Sequence, residues 1–244
     1  MNPLQSGGRV ALLFSVLTVP AALFVSATVQ AHVSVTSKTA FAGSYYEATL
    51  AVPHGCDGDD TYKVVMTIPG TFGKVRAIHS SFGPSSIETI MDGETITSYT
   101  VTWERSGNVS EADTESYNFG FRTKLPDTPF TSIHFPTVQY CRDDETLEES
   151  TSEWVGTAGH DHDSTSDELP APSLFIYPKR YPGWNQYTVD EHIHDLSVFD
   201  DAEIVWFGTS AYSSNPVTME MIRADGNAGV LEQIHPGSEI WVKY

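Results

Sequence analysis

The strongest constraint on this chain is the rhythm of its apolar residues. Short runs in which Val, Ile, Thr, Tyr and Phe alternate with polar residues are separated by Gly, Pro and Asp turns. Val33–Thr36, Tyr46–Val52, Tyr62–Ile68, Thr95–Trp103, Ser116–Thr123 and Thr131–Phe135 all follow this pattern. A period of two buries one face of a strand and leaves the other to solvent, and no long helical period lies between these runs. The pattern predicts a mainly β protein, an immunoglobulin-like antiparallel β-sandwich with Ser173–Tyr177 as its last strand. Past Pro178 the rhythm loosens. The strand candidates there are 202–208, 219–223 and 239–244, with a short helical turn within 187–196. Residues 178–244 therefore read as a small C-terminal β-rich (α+β) lobe packed on the sandwich.

Charge narrows the partners. Thirteen Lys and Arg face 32 Asp and Glu, a net charge of −19, so nucleic acid is excluded as a partner and cations are the natural counter-charge. Many of the acids fall in 143–168, a stretch of Asp, Glu, Ser, Thr and Gly that reads as a solvated acidic loop.

Residues 1–31 read as a secretory signal peptide. A polar start and Arg9 precede an apolar run from Val10 to Val25, and Val29-Gln30-Ala31 fits the small-x-small cleavage pattern. The run is broken by Pro20 and is short for a bilayer-crossing helix, so no stable membrane span is expected after cleavage. This places the mature chain in the periplasm or outside the cell. Cleavage would make His32 the first residue, with its α-amine and imidazole able to close a chelate ring on one metal ion.

Export also bears on Cys56 and Cys141, the two cysteines of the chain. In an oxidising compartment a disulfide is the default. The alternative is a thiolate ligand at Cys56, two residues after His54. His54 itself follows a strand end, on a rim loop of the kind that carries sites. Of the nine histidines, His160 and His162 form a His-x-His pair in the acidic loop, suited to weak metal capture. The second pair, His192 and His194, flanked by Asp190, Glu191 and Asp195, reads as polar residues facing solvent at the lobe boundary. Nitrogen donors with an occasional carboxylate suit Cu(II).

Several segments, taken in order, resemble the YcnI-like copper-binding domain family: His32-Val-Ser-Val, Gly43-Ser-Tyr-Tyr-Glu47, Val52-Pro-His-Gly-Cys56, Ile68-Pro69 and Phe135-Pro-Thr-Val-Gln-Tyr-Cys141 with the downstream Trp154. The likeness covers about 31–177, and Ser80-Ser-Phe-Gly-Pro84 departs from it where a Gly-Trp pair is expected. The resemblance implies an exported sandwich that binds Cu(II) through its N-terminal histidine in a single-histidine brace, with a carboxylate completing the coordination and a tryptophan close by. Carried onto this chain, the brace falls on His32 and the tryptophan on Trp154. Glu47, His54 and Asp57 are the candidates for the remaining ligand. The function expected is copper chaperoning or sequestration, without enzymatic turnover, with a copper-transfer protein as partner. A structural or adhesive sandwich and a copper-dependent oxidative enzyme are the competing readings.

Overall fold

The computed structural model describes residues 32–56, 58–105, 115–157 and 168–244. The signal-peptide assignment, Asp57, His160 and His162 lie outside the described residues. The sandwich is built from Ser34–Val35 (β1), Ala40–Phe41 (β2), Tyr45–Val52 (β3), Asp60–Pro69 (β4), Gly73–Ala77 (β5), Ser85–Asp92 (β6), Thr95–Glu104 (β7), Tyr117–Lys124 (β8), Thr131–His134 (β9), Thr137–Arg142 (β10), Glu149–Gly156 (β11), Leu169–Pro170 (β12) and Ser173–Tyr177 (β13). One sheet has the order β1-β3-β8-β5 and the other β12-β11-β10-β4-β7-β6, with a small third sheet β2-β13-β9 beside them. The protein is thus mainly β, an immunoglobulin-like sandwich.

The alternation explains the packing. Tyr46, Ala48, Leu50 and Val52 of β3 and Tyr117, Phe119 and Phe121 of β8 face Val64, Met66 and Ile68 of β4 and Val101 and Trp103 of β7 in one core. Trp103 and Phe119 meet across it with ring centroids 5.2 Å apart. The Pro69-Gly70 turn brings backbones together: a Cβ on Gly70 would stand 2.0 Å from the Ile96 carbonyl oxygen, so only glycine fits there. Cys56 and Cys141 are joined as a disulfide with a Cα–Cα distance of 5.8 Å, which removes the thiolate alternative at Cys56.

A buried ion pair lies near the β4 end. Asp60, 2% exposed, accepts from the Tyr117 hydroxyl at 2.9 Å and pairs with the Arg105 guanidinium at 3.0 Å. Burial raises the Asp60 carboxyl above its ordinary range, against the opposing pull of Tyr117 and Arg105. The Tyr117 hydroxyl is also pushed up, by burial and by Asp60.

The C-terminal part comprises Trp184–Val189 (β14), Ile204–Phe207 (β15), Ser210–Tyr212 (β16), Gly229–Val230 (β17) and Ser238–Lys243 (β18), in the sheet order β14-β18-β15-β16-β17. Two expectations are corrected here. The strand expected at 219–223 is a helix, Pro216–Ala224 (α1): Asn215 caps it by accepting from Val217 N, Pro216 starts it, and Met219 and Ile222 bury one face. The helical turn expected within 187–196 falls instead at Leu196–Phe199, a 3-10 turn capped by Asp195. On the outer face of this sheet Trp241, 46% exposed, and Trp184, 52% exposed, line a shallow cavity with Trp206.

The second core is shared with the sandwich. Phe130 packs among Val189, Phe199, Ile234, Ile240 and Val242, with Phe175 alongside. Arg180 stacks over Phe41, Tyr177 and Tyr244 at 5.0, 5.4 and 5.1 Å, and pairs with Asp201. Tyr244, half-buried beside it, has its hydroxyl pushed up to about 12 by burial. Residues 31–244 accordingly form one compact unit.

Candidate metal centre

The chain enters the sandwich at His32. Val33 is buried in the core and anchors the entry, while His32 is exposed. β1 pairs antiparallel with β3, Ser34 opposite Ala51 and Val35 opposite Leu50. Followed back toward the N-terminus, that register leads to the rim at Pro53-His54. The His32 ring meets Trp154 edge to face, with centroids 5.6 Å apart and planes at 63°.

Trp154 was expected near a metal from the resemblance, inside what read as a loop. It stands instead on β11, a strand that the acidic composition hid. Trp154 pairs with Thr137 of β10 and, on the other side, with Leu169 of β12. Its indole is 3% exposed and its Nε1 has no hydrogen-bond partner. An indole N–H only donates, so Trp154 forms a wall beside His32 and could not itself be a metal ligand.

His54 approaches the same rim by another route. The preceding strand β3 and the following Cys56–Cys141 bridge fix its loop at both ends. Its Nδ1 lies 2.6 Å from the Gly55 carbonyl oxygen, and its own carbonyl accepts from Gln139 Nε2 at 2.7 Å. Gln139 is buried and also donates to Thr61 Oγ1 at 2.8 Å, which ties the rim loop to the centre of the larger sheet. Nothing in the sequence singled out Gln139. Its signal is a buried amide at an inward position of β10, two residues from Thr137.

Glu47 is not brought to His32. It is exposed on β3 opposite Arg122, six positions from Pro53 and toward the other end of the strand. At the usual rise of strands that is about 20 Å from the rim. Among the described residues no three His, Cys, Asp or Glu side chains already surround one point. Strand register carries His32 and His54 to the same rim. Glu168, exposed and one residue before Leu169, is the acid that strand pairing carries next to Trp154 on β12. Nothing in the sequence pattern singles it out.

A family model described as "Domain of unknown function (DUF1775)" matches residues 32–176, more than half of the chain. The chain belongs to the DUF1775 family. The YcnI-like resemblance is a likeness to this same family. The matched stretch of the DUF1775 domain opens at His32 and closes at Ile176, so residues 177–244 lie beyond it. Among solved structures, an uncharacterized protein from Nocardia farcinica with an immunoglobulin-like fold is similar. It is 19% identical with a TM-score of 0.46, over 60% of this chain and 98% of that one. No curated protein matches.

Proposed function

We propose that the mature chain is an exported Cu(II)-binding protein that carries or sequesters the ion in copper homeostasis, with His32 as its principal ligand. The observation that carries this reading is the placement of His32: exposed, at the start of the family match, with its ring against a buried tryptophan. An α-amine and an imidazole on one residue form a compact nitrogen chelate, and such donors favour Cu(II) over the other divalent first-row ions. The amine becomes available only when the chain is cut after Ala31, which would keep the site closed until export is complete. His54 is the second imidazole of the same rim, and the Gln139 tether holds its loop in place. Copper is here a cargo, received from and passed to other proteins, and no turnover is proposed.

The test is electron paramagnetic resonance of Cu(II) added to protein beginning at His32, and to protein with one residue added ahead of it. The reading expects a spectrum with amine and imidazole nitrogens that changes in the extended form. Identical spectra at equal occupancy would remove the brace.

A further inference from the structure

The C-terminal sheet has an inner and an outer face. Val189, Val205, Ile240 and Val242 turn inward to the second core, so the alternation turns Trp184 of β14, Trp241 of β18 and Trp206 of β15 outward. Helix α1 covers the β15 and β16 side of that outer face. Its Met219 and Ile222 pack with Ala211, and Ile204 and Trp206 lie against them. On the β18 and β14 side, Trp241 and Trp184 stay about half exposed.

Strand register sets the three tryptophans in a row. Trp241 is directly opposite Trp206 on one side and Gln186 on the other, and Trp184 stands two residues before Gln186. Opposed residues lie about 5 Å apart at Cβ and diagonal ones about 7–8 Å. The row therefore runs obliquely across three strands and is longer than a single sugar ring. Its indoles line the shallow cavity, about 530 Å³ in volume, a size at which small ligands bind. Polar groups border it on the same face: the exposed Gln186 amide beside Trp241, and Lys243 opposite Trp184, its ammonium paired with Glu203.

We propose that Trp184, Trp241 and Trp206 form a stacking platform for a neutral oligosaccharide. Size selects against a protein partner. Two half-exposed indoles and part of a third offer about 200–300 Å², whereas a stable protein complex buries about 800 Å² on each side. Charge selects among ligands. The net charge of −19 repels polyanionic chains and a second copy of this protein, and Lys243 beside the row opposes a bare cation. A pyranose meets both conditions. It is uncharged, and the slight positive charge of its ring C–H groups suits the negative face of an indole. Its edge hydroxyls find partners in the Gln186 amide and the Lys243–Glu203 pair. The platform lies beyond the family match and shares no residue with the His32 site, so the two assignments stand or fall separately.

The experiment titrates protein beginning at His32 with cellohexaose, chitohexaose, mannohexaose and maltohexaose, followed by tryptophan fluorescence and by calorimetry. At least one of these neutral oligosaccharides is expected to bind and to shift the indole emission. W184A and W241A are each expected to weaken that binding about 10-fold or more, the scale of losing an aromatic anchor. W241F, which keeps a ring, is expected to retain part of it. Both positions are half exposed, so the variants should keep the native circular dichroism spectrum. No binding of any of the four sugars, or equal binding by W184A, W241A and the parent, would overturn the platform. Tighter binding of oligogalacturonate or of tetramethylammonium would overturn the choice of a neutral sugar. A dimer in sedimentation that W241A abolishes would assign the face to a second copy instead.

Discussion

At the scale of single residues, burial and pairing decide what each charge costs. Asp60 sits in the interior because Tyr117 and Arg105 satisfy its two oxygens. Its carboxyl is nevertheless raised, with desolvation the largest cause. The sign of the pH dependence follows. A carboxyl that holds its proton more tightly when folded gives a contribution that is complete below the unfolded value. That contribution falls as pH rises through the folded one. The stability of the native chain minus that of D60N should therefore decline as pH rises from about 3.9 upward, read from urea midpoints across that range. A flat difference would contradict the assignment. D60A leaves Arg105 without its buried partner, and a loss of about 1–3 kcal/mol is expected once the partial exposure of Arg105 is discounted.

Residue types also set how far a site can be read in advance. His32 stands out in the sequence because it follows a cleavage pattern, and cleavage there would give it two donors. The acid was not legible, since Glu47, matched by motif, lies along β3 away from the rim, and only strand register reveals that. The tryptophan row gave no signal at all. Trp184, Trp241 and Trp206 come side by side across three strands of one sheet, and sequence spacing carries no trace of that register.

Among elements, alternation predicted the strands wherever the inward side chains are apolar. It failed at β11, whose inward row is Ser150, Ser152 and Trp154, so a true strand looked like a polar loop. It failed again at α1. Met219 and Met221 fit a period of two while Met219 and Ile222 fit a helical spacing of three, and the Asn215-Pro216 start settles the choice for a helix. Asn215→Ala should cost about 1 kcal/mol of stability, measured by urea denaturation. The Cys56–Cys141 bridge encloses a long loop, and serine at both positions should cost up to about 4–5 kcal/mol by loop entropy. Its loss should also loosen the His54 rim, which amide exchange at Gly55 would report.

Taken as a whole, the molecule joins its two parts through a common core. Phe130 belongs by sequence to the sandwich and by packing to the C-terminal lobe. Its truncation to Ala should cost about 3–5 kcal/mol, in one cooperative unfolding transition rather than two. Two separate calorimetric transitions would show that the lobe folds independently. Arg180 acts at the same seam, and R180A should lower stability by about 1–2 kcal/mol through loss of its stacking on Phe41, Tyr177 and Tyr244. The net charge of −19 surrounds this body with a field that favours cations.

The most direct test of the His32 assignment is a competition titration against a copper chelator. Protein beginning at His32 is predicted to draw Cu(II) from the chelator. Protein with one residue added ahead of His32, identical in fold by circular dichroism, is predicted to leave the ion with the chelator. Equal competition by both forms would contradict copper binding through the N-terminal histidine.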